Sequence, residues 1–350
     1  MRLSEWFTER VPVSGADLRE LTNEPVPNHL KRWWYCLGGT PAYLFVVQIA
    51  TGLLLAVYYQ PAPQTAYESI RVITEDVAFG WYVRSLHKWA ATFMIATVVL
   101  HQMRVFFTGG YRAPRELNWM VGMCLLLLTL LTGFTGYSLA FEQLSYWGAT
   151  VAANINESIP IVGGLLKRML LAGDVYNENT LSRFYVLHAA VLPMAMIGML
   201  AVHIALIRLH GVTEFHDDDE TPGETERPYF NFYPDHLLTE VILGLSLMIL
   251  LTALAIAFPA GLGPQADPLT TPEVIKPEWF FYATFRWLKL FPEQVAILTM
   301  GFVVFVMFLW PIIDGWIRRR RHGSEISMGV GIFAVFAIIA LTVWEAAVAH

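Results

Sequence analysis

Residues 81–107 read WYVRSLHKWAATFMIATVVLHQMRVFF, and residues 183–209 read RFYVLHAAVLPMAMIGMLAVHIALIRL. Each stretch is apolar over a membrane-spanning length and carries two histidines, His87 and His101 in the first, His188 and His203 in the second. On an α-helix the step from His87 to His101 turns through roughly 1400°, about 40° short of four turns, and rises ~21 Å. The step from His188 to His203 is one residue longer and overshoots four turns by roughly 60°. Each pair therefore lies on one helix face, with one member near each edge of a ~30 Å hydrocarbon core. Side by side, two such helices offer four imidazoles at two depths, enough to clamp two flat cofactors one above the other.

The rest of the chain agrees with a membrane setting. Of 350 residues, 55% are hydrophobic and 15% charged, and mean hydropathy is +0.48; an ordinary soluble globule is excluded. The apolar runs predict an all-α polytopic fold with spans over 41–59, 82–107, 119–139, 184–209, 237–258, 294–313 and 328–347. Four of these precede, and three follow, a polar connector at 211–234 that contains Asp217-Asp218-Asp219-Glu220. The expected organisation is an interfacial amphipathic leader (1–35), a four-helix cofactor-binding bundle (36–210), the connector, and a three-helix part (235–350). Glu142–Ala172 is too polar to span and predicts one or two helices lying on the surface. No secretory signal is expected at the N-terminus. Two cysteines, Cys36 and Cys124, are too few for a disulfide framework. The larger share of the 23 lysines and arginines falls on the side of the N-terminus. That bias predicts a cytoplasmic N-terminus and an external C-terminus. His87 and His188 then face the outer side, and His101 and His203 the inner.

A histidine inside a membrane span usually faces the bundle interior and has a function. Two imidazoles at one level are too few for zinc without acids or thiols, whereas haem iron takes two axial nitrogens and its ring fills an apolar gap. Gly38 and Gly52, and Gly122 and Gly136, repeat the His87-to-His101 step. They would leave bare backbone where the edge of a planar ring presses, although small-residue helix packing uses glycine in the same way. Arg84, Arg104, Arg183 and Arg208 lie near the histidines. There they would neutralise haem propionates or simply snorkel at helix ends. Cys36, on chemistry alone, reads as a small buried residue.

Several motifs then carry a family resemblance: Arg84-Ser85-Leu86-His87, Thr108-Gly109-Gly110, Pro114-Arg115-Glu116-Leu117, Gly133-Phe134-Thr135-Gly136-Tyr137-Ser138-Leu139, Tyr146-Trp147-Gly148-Ala149-Thr150 and Arg183-Phe184-Tyr185-Val186-Leu187-His188. Over nearly its whole length the chain resembles cytochrome b of the bc1/b6f class. The longer step from His188 to His203 resembles the b6 branch, as does the leader with Pro25-Val26-Pro27-Asn28-His29 and Tyr35-Cys36-Leu37-Gly38-Gly39. The second half resembles subunit IV, here continuous with the first, with Pro277-Glu278-Trp279-Phe280 as its signature.

The resemblance implies two b-type haems, on His87/His188 and on His101/His203, and a third, c-type haem joined to Cys36 by one thioether bond. It implies a quinol:cytochrome c (or plastocyanin-like) oxidoreductase that translocates protons. Quinol would be oxidised at an outer pocket of Tyr137, Phe141, Tyr146, Trp147, Pro277 and Phe280, with Glu278 as proton acceptor. Quinone would be reduced near the inner side, where Arg208, Asp235, His236 and Glu240 could serve the quinone or its protons. The implied partners are a Rieske iron–sulfur protein, a c-type cytochrome or other acceptor, membrane lipid and a second copy of the complex; no nucleic acid is expected. The implied location is a bacterial-type inner membrane. Two departures stand out. Phe280 replaces the family's usual tyrosine, and Ala140-Phe141 replaces Pro-Trp. Two other readings of the residues remain: a dihaem anchor relaying electrons between a dehydrogenase and quinone without bifurcation, and a haem-free transporter with histidines in a proton path.

Overall fold

The computed structural model describes residues 37–211, 234, 237–321 and 326–348, with the backbone of 25–27 and 229–231. Most of the leader and the connector, and with them Cys36, Asp235 and His236, lie outside the described residues. Pro25–Pro27 (β1) pairs antiparallel with Tyr229–Asn231 (β2). The remaining described regular structure is helical.

Helices α1 (Gly39–Ala56), α3 (Gly80–Phe107), α4 (Glu116–Ser138) and α7 (Glu178–His210) are long and apolar enough to cross a membrane. So are α8 (Leu237–Ala257) and α12 (Ile326–Ala347). Outward side chains such as Leu53, Ile249, Phe302 and Phe333 are largely exposed, which suits a hydrocarbon solvent rather than water. Between the spans lie α2 (Ala66–Glu75), α5 (Gln143–Glu157) and α6 (Gly163–Leu171). The last two are two short helices within the expected Glu142–Ala172 stretch.

The span expected at 294–313 is not one straight helix. It consists of α10 (Glu293–Phe308) and α11 (Trp310–Arg320), bent by 65° with Leu309 between them. Pro311 has no amide hydrogen for the carbonyl four residues back, and its ring crowds that carbonyl, so the ladder breaks here. Hydropathy did not reveal the bend because a bend leaves composition unchanged.

α7 begins well before the expected Phe184. Asn177 caps it, with its side-chain oxygen accepting from the Asn179 amide at 2.9 Å, and the Thr180 hydroxyl accepts from the Asn177 amide at 2.9 Å. Within it, Leu187–Val191 forms a π-helical turn in which the Leu192 amide bonds to the Leu187 carbonyl. Pro193 follows immediately. Without a proline amide the α ladder cannot continue in register, and a wider turn restores it. That turn takes up about one residue more than an α turn. The apparent 60° overshoot from His188 to His203 is thereby absorbed, and the two histidine pairs match in depth despite their unequal spacing.

α1 packs along α3, and α4 along α7; α8 and α12 lean on α3. α3 and α7, which carry the histidines, are not among the closely packed helix pairs. Leu44, Phe45, Leu86, Ala90, Met94 and Met196 form the core of this bundle.

Candidate functional site

Across that axis the histidines meet in two pairs. The His87 and His188 rings have centroids 6.1 Å apart and planes at 75°. Those of His101 and His203 are 6.5 Å apart at 81°. Two metal–imidazole bonds of about 2 Å each, laid end to end, separate ring centres by roughly 6 Å. The donors thus fit a six-coordinate iron at each level. They do not suit zinc, because no group of three or more His, Cys, Asp or Glu among the described residues could hold a metal ion. A cavity of about 160 Å³ at the inner level is lined by His101, His203, Gly38 and Gly122, with Arg104 and Asn118 among its polar residues.

The four glycines each face one imidazole. A Cβ on Gly52 would lie 3.3 Å from Cε1 of His87, on Gly38 3.5 Å from that of His101, and on Gly122 3.6 Å from that of His203. On Gly136 it would lie 2.5 Å from that of His188. The repeat was expected to make room for the edge of a cofactor; its visible contact is with the imidazole rings. Bare backbone at Gly136 lets His188 lie over the preceding turn, where its Nδ1–H donates to the Thr132 carbonyl at 3.0 Å. His87 hands its Nδ1–H to the Thr51 hydroxyl at 2.8 Å, and Gln48 donates to the His87 carbonyl at 2.7 Å. With the proton on Nδ1, Nε2 of both rings is left as a bare lone pair, which is the tautomer a metal requires.

The arginines divide. Arg104 lines the inner cavity, and Arg208 lies in the last turn of α7. Arg84 instead holds the outer loop, donating to the Ala260 and Gly261 carbonyls at 2.6 and 2.8 Å and lying 3.9 Å from Glu142. Arg183 is exposed and donates to the Met169 carbonyl at 3.4 Å. These two arginines thus anchor the outer loop and α6.

At the His87/His188 end of the bundle, expected to face outward, Pro277 and half-buried Glu278 lead into a 3-10 turn, Trp279–Phe281, and then α9 (Tyr282–Leu290). Phe280 lies against Gly133 of α4, where a Cβ would come 3.4 Å from its ring. Tyr137 lies within electrostatic reach of Glu278, Glu142 and Tyr282. Burial, then the charges of Glu278 and Glu345, push the Tyr282 hydroxyl above its ordinary pKa. Phe141 and Tyr146 belong to another cluster, each in ring contact with Tyr176 at 6.0 and 4.7 Å. The two groups are nevertheless joined. Ring contacts run from Tyr176 to Phe184, Phe134, Phe281 and Phe280 at spacings of 4.7 to 6.4 Å. Trp147 donates to the Asp267 carbonyl at 3.3 Å, pinning the outer loop to α5. The aromatic wall therefore continues past the altered Ala140-Phe141 step, and it passes one turn from His188.

Sequence reading missed Thr51, Thr135, Tyr176 and Tyr282. The threonines had a visible signal, since each immediately precedes a glycine of the repeat.

Comparison with known proteins agrees with this geometry. The family model described as cytochrome b/b6/petB matches residues 21–211, and that described as cytochrome b(C-terminal)/b6/petD matches 265–350. Cytochrome b6 of Heliobacterium mobile is 46% identical over 209 residues, 60% of this chain and 98% of that protein. The cytochrome bc complex cytochrome b subunit of Chlorobaculum thiosulfatiphilum is 37% identical across 96% of this chain and 77% of its own length. A chain of a hyperthermophilic respiratory Complex III superposes with TM-score 0.84 at 25% identity, covering 99% of this chain and 92% of that one.

Proposed function

Because this chain belongs to the cytochrome b family, its b6-type first half continuous with a subunit IV-like second half, we propose that it is the quinol-oxidising membrane core of a bc-type quinol:cytochrome c (or plastocyanin-like) oxidoreductase. The observation that carries the reading is the matched pair of imidazole pairs, 6.1 and 6.5 Å between ring centres, on two spanning helices. Haem bound at these levels supplies two one-electron stations between the two membrane faces.

The chain's own residues do the rest. His87/His188 and His101/His203 hold the stations at fixed separation, and the four glycines let the rings press onto backbone. Glu278 accepts a quinol proton at the outer mouth, beside Tyr137 and Tyr282. The aromatic wall from Phe141 and Tyr146 to Phe280 excludes water from that reaction. On the inner side Arg208 and Glu240 serve quinone; Glu240 packs so tightly on α1 that a Cβ at Gly39 would come 2.8 Å from its carboxylate. The proposal includes a thioether-linked haem on Cys36, supported by the family resemblance. It also includes a Rieske iron–sulfur partner, a c-type cytochrome or similar acceptor, and a dimeric complex. The complex would sit in a bacterial-type inner membrane with its N-terminus in the cytoplasm.

Haem quantitation on the purified complex tests the scheme. Two extractable b haems per chain are expected, with a haem-staining band at this chain's mass after denaturation. A chain without a b-type spectrum would overturn the ligation and restore the transporter reading; absence of the stained band would remove the Cys36 haem alone.

A further inference from the structure

α10 has 16 residues, which as a helix rise ~24 Å and stop short of a ~30 Å hydrocarbon core. The chain then turns 65° into α11. A helix turned so far from a spanning one runs closer to the membrane plane than to its normal. α11 belongs to the His101/His203 end of the bundle, because its Trp310 packs with Phe106, Tyr111 and Trp119.

The two faces of α11 differ. Trp310, Pro311 and Asp314 are buried. Asp314 accepts from Arg112 at 3.1 Å and from the Ser327 hydroxyl. These contacts come from the turn before α4 and from α12, and they fix the rotation of α11. Turned the other way are Ile312 and Trp316, 55% and 50% exposed, followed at helical spacing by Arg319 and Arg320, both exposed. Positions i, i+4, i+7 and i+8 share one helix face. The Arg320 guanidinium lies 4.2 Å from the Trp316 ring centre, so cation and indole form one surface. Arg318 and Arg321 are exposed as well.

Ordinary surface roles leave this arrangement unexplained. A helix C-terminus carries about half a negative charge, against four consecutive guanidinium groups. Asp314, the acid of this helix, is buried on the opposite face and already paired with Arg112. A solvated basic run would account for the arginines but not for an isoleucine and a tryptophan exposed beside them. An apolar strip that ends in clustered arginines next to a spanning helix suits anionic lipid. Indole rings settle at headgroup level, and the guanidinium fork matches a pair of phosphate oxygens.

We propose that α11 is a binding site for an anionic phospholipid, with Arg319 and Arg320 on its phosphate and Ile312 and Trp316 against its acyl chains. Since Asp314 ties α11 to the turn before α4 and to α12, a lipid held here steadies the corner where the two halves of the chain meet. The inference requires the membrane-spanning fold and is independent of what the histidines bind.

The test is lipid retention by the intact complex. The complex is washed in neutral detergent and titrated with phosphatidylglycerol or phosphatidylcholine, and lipid that stays with the protein through gel filtration is measured by mass spectrometry. The parent is expected to retain phosphatidylglycerol in preference. Arg319→Gln/Arg320→Gln/Arg321→Gln should weaken that retention about a hundredfold, at roughly fivefold per arginine. Arg320→Gln alone should weaken it about fivefold, which keeps the test open if the triple variant does not assemble. Trp316→Ala, with the charge unchanged, should weaken it by less, and Arg319→Lys/Arg320→Lys should keep most of it. Equal retention of the two lipids, or phosphatidylglycerol retention unmoved by the arginine variants, would overturn the proposal in favour of a solvated or protein-docking face. Displacement of the lipid by inorganic phosphate would overturn the lipid as occupant. The variants should keep the b-type spectrum of the parent; a parent without that spectrum would overturn the haem ligation and leave the lipid measurement readable.

Discussion

The two halves of the chain bury polar groups in opposite ways. In the four-helix half the fully buried polar side chains are serines and threonines, among them Thr51, Ser85, Thr129, Thr135 and Ser138. These five return their hydroxyl protons to carbonyls four residues back on their own helices. In the three-helix half two carboxylates are buried, Asp314 at 1% and Glu345 at 0% exposure. Asp314 accepts from Arg112 of the first half at 3.1 Å and from the Ser327 hydroxyl. Glu345 lies 3.1 Å from Lys289 and 3.6 Å from Arg286, whose guanidinium stacks 3.9 Å from the Trp344 ring centre. The half that would enclose charged cofactors keeps its own interior neutral, with hydroxyls that only adjust what they touch. The half that shapes the outer loop uses buried charge as a fastener. Glu345 ties α12 to α9, directly after the Glu278 loop, and Asp314 ties α11 to the turn before α4.

The contrast can be broken at its strongest point first. His203→Leu is expected to remove half of the extractable b haem and to abolish quinol-dependent turnover, since one imidazole cannot complete the axial set; pyridine haemochrome analysis checks it. In the other half, Glu345→Gln leaves two cations facing a neutral amide in a buried site. Removing one partner of a buried pair costs about 3–5 kcal/mol, so the complex should melt earlier in detergent with its haem spectrum unchanged before melting. Asp314→Asn should lose less, because Arg112 is 44% exposed and can turn to solvent.

Glu278→Gln separates chemistry from assembly. Loss of a positioned proton acceptor slows a reaction by roughly a hundredfold or more. Quinol oxidation in steady-state assays should fall by that order while haem content and potentials stay put. Unimpaired turnover would favour a dihaem relay without quinol oxidation at this loop. The smallest effects come from the glycine series. Gly136→Ala drives a Cβ into the His188 ring, and overpacking of this kind costs about 1–3 kcal/mol, seen as weaker retention of the outer haem. Gly38→Ala and Gly122→Ala, with contacts of 3.5 and 3.6 Å, should be nearly silent. Equal effects at all four positions would mean that the repeat serves helix packing, with no particular relation to the imidazoles.

Much of this was legible in the residues. The spans at α1, α3, α4, α7, α8 and α12 follow from runs of apolar side chains, because in hydrocarbon a helix is the one local structure that satisfies its own backbone. The histidine and glycine steps are whole numbers of turns and survive any packing. Three features were not legible. The α10–α11 bend and the π turn at His188 both come from a single proline, Pro311 and Pro193, whose effect depends on which carbonyl loses its partner. The separation of Phe141 and Tyr146 from the Glu278 loop depends on where α5 lands, and adjacency in the chain says nothing about that.

What the sequence alone determined was the kind of protein and where its histidines lie: spans set by transfer of apolar side chains out of water, and four imidazoles placed by helical periodicity. What only the tertiary structure decided was which groups meet across helices. Glycine against imidazole, threonine hydroxyl against Nδ1, Arg84 against the outer-loop carbonyls and Glu345 against Arg286 are all contacts between residues distant in the chain. Such contacts depend on helix rotation and depth, and a sequence encodes these only through the packing of every neighbour at once.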